Sequence, residues 1–434
     1  MERRSFLTSM GRGVSAASVM TLFGPETLRR VEAASSRVAD VPPEEAARDE
    51  SYWREIQQAF TASRSLINLN NGHVCPCPRI VTDSLVRYIW AQEDAPAYTM
   101  VKLLEPRRET VRASLARIFG CDAEEIALVR NASEAMEILL MGLDLKSGDE
   151  VLTTTHDYPR MLTTLDQRRR REGIEVKTIS IPTAAEDMDA LVRSFERAIT
   201  PRTKLILICH QVNITGQIMP VKRICDLARQ HGIEVMIDGA HSFCQFDFKQ
   251  TDIGCDYFGT SLQKWLLAPK GTGMLYVRRE KIKKLWPLMA APEKMSDDVR
   301  KFEEIGTHSA APELATGEAI AFHNGIGGKR KEARLRYLKN YWAERLRSVP
   351  NLRFHSSFKP EFGCAIATVE LVGTDTEALA NYLFDKHRII VAPVKHAEFT
   401  GIRVTPNVYT MLEELDYFAE VMEGLGRKGL PRTA

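Results

Sequence analysis

Short apolar runs alternate along the chain with longer segments whose apolar residues recur every three or four positions, from about residue 80 to residue 280. The apolar runs predict strands at 125–130, 150–155, 175–181, 204–210, 234–238 and 273–278. The intervening segments, such as 133–143 and 221–232, have the spacing of amphipathic helices. Strands that alternate with helices of this length predict crossover connections, and therefore a mostly parallel sheet with helices on both faces.

The last third of the chain has a different pattern. It predicts a charged helix at 328–348, a strand at 363–371, a helix at 375–387, short strands at 389–392 and 401–405, and a final helix from about residue 411. This order is typical of a smaller α+β domain. The predicted division is a linker and N-terminal segment at 37–80, a large domain at 81–325 and a small C-terminal domain at 326–434.

The N-terminus carries a targeting pattern. Arg3 and Arg4 precede a weakly apolar stretch at 13–24, and the small residues around Ala34 offer a cleavage site. We therefore predict a twin-arginine export signal over residues 1–36 and a periplasmic location; without that signal the protein would stay in the cytoplasm. No later segment has the roughly 18 uninterrupted apolar residues of a membrane-spanning helix, so no integral membrane segment is predicted.

Composition narrows the class of partner. The chain has 434 residues, enough for two domains that each have a hydrophobic core. Its net charge of +2 does not indicate a nucleic-acid-binding surface. The arginine run at 168–171 is expected on the exposed face of a helix. The eight cysteines are dispersed and form no C-x-x-C pair, so free thiols are expected. No recognisable ligand spacing predicts a metal site.

Polar residues follow several of the predicted strands, where an open parallel sheet binds its ligands. Ser133 opens a helix, whose N-terminus attracts anions, although serine is equally a plain helix cap there. Asp238 ends a hydrophobic strand, with His241 three residues later. A carboxylate buried at that point needs a cationic partner, although Asp238 could also cap the next turn.

Two further loops carry candidate chemistry. His210, Asn213 and Thr215 follow one strand, on a loop that could also be an ordinary polar turn. Lys264 lies 26 residues after Asp238, between a strand end and an apolar run. A lysine beside an apolar run commonly keeps its amine in solvent. In a dry pocket, however, it loses proton affinity and becomes a nucleophile able to form a Schiff base.

Together these residues resemble the class V aminotransferase family of pyridoxal phosphate (PLP) enzymes, which includes isopenicillin N epimerase-like proteins and cysteine desulfurases. The motifs that carry the resemblance are LNNGHVCPCP (69–78), RNASEA (130–135), THDYP (155–159), HQVNITG (210–216), IDGAH (237–241), SLQKW (261–265), IGTHS (305–309) and IRVTPNVYTMLEELD (402–416). It covers nearly the whole chain after residue 50. It implies an α/β, type I PLP-dependent transferase fold, with a mostly parallel seven-stranded sheet in the large domain and a smaller α+β C-terminal domain.

The resemblance implies PLP as cofactor and assigns roles to individual residues. Lys264 would form the Schiff base and move the Cα proton, while Asp238 would keep the pyridine nitrogen protonated so that the ring takes up electrons. Tyr158 would stack on the ring, and either Tyr158 or a second base could be the catalytic proton donor on the opposite face in an epimerisation. The other implied cofactor contacts, to the phosphate or the ring oxygen, are Ala132, Ser133, Asn213, His241, Ser261, Gln263 and Thr307.

The resemblance also implies partners. Thr307 is similar to a residue that reaches the phosphate of the other subunit, which implies a homodimer with active sites at the interface. Arg403 and Asn71 are the implied substrate-binding residues, and Arg403 would bind a substrate carboxylate in bidentate fashion. The expected substrate is an amino acid, bound as a small molecule.

The fold alone does not choose the reaction. Desulfurases need a nucleophilic cysteine shortly before the carboxylate-binding arginine, and no cysteine lies between Ala365 and Arg403. Cys364 falls in a probable strand too far upstream. Aminotransferase or epimerase activity is therefore predicted, with a lyase, a desulfurase-like enzyme and modification of an amino-acid residue in a secreted peptide as alternatives. A binding module that keeps the fold and a metal-dependent hydrolase are the competing classes.

Overall fold

The predicted parallel sheet is present in a computed structural model of the protein, which describes residues 26–431. The strands, in chain order, are β1 (Ile67–Asn68), β2 (Ile126–Val129), β3 (Glu150–Thr154), β4 (Glu175–Ile179), β5 (Thr203–Cys209), β6 (Glu234–Asp238), β7 (Tyr257–Ser261), β8 (Gly273–Val277), β9 (Leu352–Phe354), β10 (Ala367–Leu371), β11 (Ile389–Ile390), β12 (Ala392–Lys395) and β13 (Thr400–Val404). The large sheet has the order β2-β8-β7-β6-β5-β3-β4, and within it only β8 runs antiparallel to its neighbours. The predicted α/β class and mostly parallel seven-stranded sheet are confirmed.

Helices cover both faces of this sheet and surround the smaller one. The longer helices, in chain order, are α1 (Glu26–Arg37), α2 (Glu50–Gln58), α3 (Arg79–Asp94), α4 (Arg108–Phe119), α5 (Ala132–Gly142), α6 (Pro159–Glu172), α7 (Met188–Ala198), α8 (Val221–Gln230), α9 (Ala311–Ile326), α10 (Gly328–Leu346), α11 (Thr376–His387) and α12 (Leu412–Lys428). Shorter helices lie at Pro43–Ala46, Pro96–Tyr98 and Gln250–Ile253, and a π-helical turn lies at Thr99–Leu104.

Alternation along the strands buries both faces of the large sheet. In β5, Ile206 and Ile208 pack into the core on one face, while Leu205 and Leu207 pack into the core on the other. All four side chains are at most 1% exposed. Fully burying such a side chain contributes roughly 1.5–3 kcal/mol. The sheet is therefore a rigid platform for the loops at its carboxyl edge.

Strand β7 was expected only as a strand end before Lys264, because its residues, YFGTS, form no apolar run. Its Gly259 explains the composition. A Cβ at Gly259 would lie 2.8 Å from the Met136 sulfur and 2.9 Å from the Ala135 Cβ of helix α5. The glycine lets α5 pack directly on the middle of the sheet.

The smaller sheet has the order β12-β13-β10-β9 and is antiparallel throughout. Its core contains Trp342 of α10 and Phe418 of α12, both fully buried. Strand β1 pairs in parallel with β11, which attaches the N-terminal segment to this C-terminal domain. The predicted α+β character of the last third is confirmed.

The expectation of a linker that begins at residue 37 was wrong in one respect. Trp53 is fully buried, and Arg334 of α10, also fully buried, donates to the Ala47 carbonyl and pairs with Glu50. The segment is docked on the protein because the buried guanidinium needs these acceptors. The predicted export signal lies mostly outside the described residues and stays a prediction, although Ala34, expected beside the cleavage site, is 1% exposed within α1.

Two surface expectations can be compared with the structure. No helix among residues 26–431 is long and apolar enough to cross a membrane. In the arginine run, Arg169, Arg170 and Arg171 are exposed as expected. Arg168 is instead 3% exposed, and its guanidinium donates to the Leu140 carbonyl because its side of α6 faces α5.

Stability at low pH is expected to depend on His323 of α9, which is buried and whose Nδ1 atom has no hydrogen-bond partner among residues 26–431. Burial lowers the pKa of His323 to about 3. Between that value and its unfolded pKa of about 6.5, only the unfolded state binds the proton, so acidification costs about 1.4 kcal/mol of unfolding free energy per pH unit. We expect His323→Gln to reduce the pH slope of stability by that amount between pH 6 and pH 4.

Urea unfolding of the holoenzyme across this range would measure the slope. His231→Gln is the matched control, because His231 is exposed at the end of α8. An unchanged slope in His323→Gln would contradict the expectation.

Candidate active site

A cavity of about 350 Å³ lies at the carboxyl ends of β5, β6 and β7. It brings together ten of the predicted site residues: Ala132, Ser133, Tyr158, Asn213, Asp238, His241, Ser261, Gln263, Lys264 and Arg403. These residues come from both domains and span most of the chain.

Lys264 extends from the turn after β7 into the cavity. Its Nζ atom lies 3.1 Å from Nε2 of His241. Burial lowers the pKa of Lys264 to about 8. The negative charge of Asp238 raises this pKa, and the positive charge of Arg403 lowers it further. A substantial fraction of the amine is therefore neutral near pH 8, as a nucleophile or a base requires.

Asp238 lies at the tip of β6 and is 6% exposed. Its Oδ1 accepts a hydrogen bond of 2.9 Å from the Ala240 amide. Burial raises the pKa of Asp238, whereas the Ala240 amide and the charge of Lys264 lower it. A buried carboxyl group in this position fits a partner that carries a proton on a ring nitrogen.

The N-terminus of α5 forms another wall of the cavity. Asn131 caps this helix by accepting from the Glu134 amide at 2.9 Å, so the prediction that the helix opens at Ser133 was wrong by one or two residues. The Oγ of Ser261 accepts from the Ala132 amide at 2.8 Å. The cap is Asn131 because its side chain reaches the first turn, which leaves Ser133 facing the cavity.

Three buried polar atoms of the cavity residues have no hydrogen-bond partner among the described residues. They are Oδ1 of Asn213, Oε1 of Gln263 and Nε of Arg403. Unpaired buried polar atoms are costly, and three around one cavity indicate a polar ligand. Together with the helix N-terminus at Ser133 and the carboxyl of Asp238, this donor and acceptor set fits a group with an anionic end and a protonated ring.

Arg403 extends from β13 of the small domain and is 7% exposed. It donates to the Asn213 carbonyl and to Oδ1 of Asn70, each at 3.1 Å. Burial lowers the pKa of Arg403 to about 10, so the guanidinium still carries its charge at neutral pH. A buried guanidinium at the wall of this cavity is suited to a carboxylate.

Two predicted site residues do not line the cavity. Asn71 is fully buried behind it, where it donates to the carbonyls of Asn68 and Thr405 and accepts from the Tyr409 hydroxyl. These bonds join the N-terminal segment to the small domain. Thr307 is exposed on a loop outside the cavity.

The cavity also contains residues to which sequence reasoning gave no role: Gly72, His73, Val74, Asn131, Met136, Met161, Cys209 and Ala240. His73 had a visible signal, since it lies in the quoted motif at 69–78. Burial and the charges of Arg403 and Lys264 lower the pKa of His73. Burial raises the pKa of the Cys209 thiol well above its usual value.

A hydrogen-bonded cluster ties the two domains together beside the cavity. Nε2 of His156 lies 2.8 Å from Glu398, and Nε2 of His396 lies 3.0 Å from the Thr155 carbonyl. One side-chain nitrogen or oxygen atom from each of His156, His396 and Glu398 lies within 4.8 Å of the other two. The sequence gave no signal for this cluster, because His156 and Glu398 are 242 positions apart. It joins the loop that leads to Tyr158 to the loop that leads to β13.

Comparison with known proteins identifies the family. The family model of class V aminotransferases matches residues 76–409. The protein belongs to the class V aminotransferase family. The predicted resemblance is thus confirmed, and PLP, the cofactor of this family, is the group that the cavity residues fit.

The relatives of the chain in this family are enzymes with different activities. Isopenicillin N epimerase of Streptomyces clavuligerus is 28% identical over 86% of this chain and 98% of the relative. That of Amycolatopsis lactamdurans is 29% identical over 86% of this chain and 99% of the relative. A cysteine desulfurase structure from Thermococcus onnurineus has a TM-score of 0.76 at 20% identity, over 86% of this chain and 98% of that one. The last comparison shows the shared fold.

Cofactor affinity of this class V protein is expected to depend on Gly273 of β8. A Cβ at Gly273 would lie 2.6 Å from Cα of Asn131, so an alanine must push the N-terminus of α5 out of place. We expect Gly273→Ala to weaken PLP binding about tenfold, which corresponds to about 1.4 kcal/mol. Titration of cofactor-free protein with PLP, followed by absorbance, measures it.

Gly317→Ala serves as the control, since a Cβ at this helical glycine meets no atom within 4 Å. Equal PLP affinity of Gly273→Ala and the wild-type protein would show that the close approach of β8 and α5 does not shape the site.

Proposed function

We propose that this PLP-dependent class V enzyme epimerises an amino acid at Cα, with transamination of the same substrate as the alternative outcome. The observation that carries the proposal is the amine of Lys264, whose pKa of about 8 and position in one cavity with Arg403 suit proton transfer next to a bound carboxylate. The isopenicillin N epimerases among the relatives support the choice of epimerisation.

Each residue has a distinct task in this proposal. PLP supplies the electron sink for the charge left when the Cα proton departs. Arg403 would bind the substrate carboxylate, and Lys264 would take the Cα proton at Nζ. Asp238 would hold the ring nitrogen of the cofactor protonated. Epimerisation needs a proton for the opposite face, and Tyr158 and His73 both line the cavity with groups able to supply it.

The cysteines argue against a persulfide mechanism. Cys209 lines the cavity, but its thiol is buried and its pKa lies well above the usual value. Burial also raises the pKa of Cys364, to about 12. A thiolate is the nucleophilic form, so neither residue suits the attack on sulfur. An elimination without a cysteine nucleophile would still use the same Lys264 chemistry.

Lys264→Ala is expected to abolish proton exchange at Cα. In heavy water, the wild-type enzyme should place deuterium at Cα of its substrate and form the opposite stereoisomer, and Lys264→Ala should slow both by about 10²–10⁴-fold. A panel of L- and D-amino acids, followed by NMR and chiral chromatography, measures exchange and inversion together. The visible absorption band of the bound cofactor should also be lost.

Lys270→Ala is the control, because Lys270 is exposed and lies only six positions after Lys264. Exchange with lasting bleaching of the cofactor and no inversion would identify a transaminase instead. Wild-type exchange rates in Lys264→Ala would overturn the proposal.

We also propose that the enzyme is a homodimer. Helix α3 and the segment after it expose large apolar side chains, with Ile89 41%, Trp90 73% and Tyr98 61% exposed. Such a surface is typical of an interface. The loop of Thr307 lies beside it, because the hydroxyl of Ser309 donates to Gln92 of α3 at 2.7 Å. Pairing through this face would carry Thr307 towards a second subunit.

Trp90→Glu is expected to convert the dimer into a monomer, since a carboxylate in an apolar interface is strongly disfavoured. Sedimentation velocity at micromolar concentration measures the change. Phe384→Glu, at a 41% exposed side chain on α11 of the small domain, is the control. A Trp90→Glu protein that stays dimeric would place the interface elsewhere.

A further inference from the structure

The ring of His241 lies between the two consecutive residues Lys264 and Trp265. Its Nε2 is 3.1 Å from Nζ of Lys264, and its Nδ1 is 3.4 Å from Nε1 of Trp265. The ring is 4% exposed, and the indole is fully buried. Each ring nitrogen of His241 therefore has one defined neighbour.

The indole of Trp265 determines which atom donates in the hydrogen bond to Nδ1 of His241. An indole nitrogen is a donor only, so Nδ1 of His241 must accept the hydrogen bond through its lone pair. The contact is long, but Nδ1 of His241 is the one acceptor that the described residues offer to this indole. A buried N–H group would otherwise stay unpaired, at a cost of about 1–3 kcal/mol.

The charge around the ring excludes the doubly protonated form. The charges of Lys264 and Arg403 and the ring of His73 disfavour a second proton on His241. The carboxyl group of Asp238 lines the same cavity, where its charge acts on Lys264. Burial lowers the pKa of His241 well below its usual value. A neutral imidazole carries one proton, and with Nδ1 occupied as acceptor that proton lies on Nε2.

The proton on Nε2 has a consequence for Lys264. An ammonium group has no lone pair and cannot accept a hydrogen bond. The 3.1 Å contact therefore requires the neutral amine of Lys264 as acceptor. If Nδ1 carried the proton instead, Nε2 would accept from the Lys264 ammonium and stabilise the charged form.

A hydrogen bond also fixes the backbone of Trp265. The buried ammonium of Lys331, on α10, donates to the Trp265 carbonyl. The backbone of His241 is also held, since the side-chain amide of Gln245 donates to its carbonyl at 2.6 Å. The ring and the indole thus face each other from two fixed backbones.

We propose that Trp265 is a positioning residue, whose indole N–H locks His241 as an Nε2–H donor into the cavity and thereby favours the neutral, reactive form of Lys264. The same donor would face the ring oxygen of bound PLP. The tautomer exists without cofactor or substrate, so this inference stands or falls separately from the proposed reaction.

The direct test is NMR of cofactor-free protein with ¹⁵N-labelled histidine, because protonated and unprotonated ring nitrogens differ in chemical shift. The wild-type protein at pH 9, where most of the Lys264 amine is neutral, should show His241 with a proton on Nε2 and none on Nδ1. His241→Gln assigns the resonance. An Nδ1–H tautomer or an imidazolium in the wild-type protein would overturn the proposal, whatever any variant does.

Trp265→Phe removes the N–H and keeps a buried ring. We expect the Nδ1–H tautomer of His241 to appear and the apparent pKa of Lys264 to rise by about one unit, which is a tenfold loss of neutral amine. The pH dependence of the PLP association rate with cofactor-free protein measures that pKa. An unchanged tautomer and an unchanged pH profile would refute the role of Trp265.

Two further variants separate positioning from packing. Trp342→Phe is the matched control, because Trp342 is also fully buried but its Nε1 has no partner among the described residues. It should leave the His241 spectrum and the pH profile unchanged. In the His241→Gln background, Trp265→Phe should no longer shift the pH profile. A full shift in that background would mean that Trp265 acts on Lys264 by packing alone.

Discussion

The burial of one amine organises the active site of this class V protein. In water the Lys264 amine would be protonated at neutral pH. Burial in a preorganised surrounding lowers its pKa to about 8. That surrounding needs the carboxyl edge of a rigid sheet and a second domain that closes over it. The negative charge of Asp238 partly offsets this lowering of the pKa. Both the neutral and the charged form of the amine are therefore populated near pH 8.

The cation proposed to bind the substrate carboxylate belongs to a different domain from the Lys264 amine. Arg403 lies on β13, and its guanidinium contacts Asn70 of the N-terminal segment and Asn213 of the large domain. The cluster of His156, His396 and Glu398 fixes the same junction from the other side. The distance between amine and guanidinium is therefore set by the packing of three chain segments, as precise orientation of a substrate requires.

Sequence reasoning succeeded where a local pattern has one physical meaning, and failed where the decisive partner is distant. Asp238, Lys264 and Arg403 were predicted to share a site because each stands at a strand end or in a recognisable motif, and one cavity contains all three. Asn71 was placed at the substrate because it stands in such a motif, yet its partners turn it towards Thr405 and Tyr409. Arg168 similarly lies in a charged run, but the helix packing turns it inwards.

The sequence by itself determined the class of fold, six strands of the large sheet and the family of chemistry, because apolar periodicity and motif order are properties of the chain. Tertiary structure alone decided that residues 37–58 dock on the protein, that Asn131 caps α5, and that Trp265 reaches His241. Contacts of this kind depend on the direction in which each side chain leaves a folded backbone. Spacing along the chain does not encode that direction once two elements are far apart in sequence.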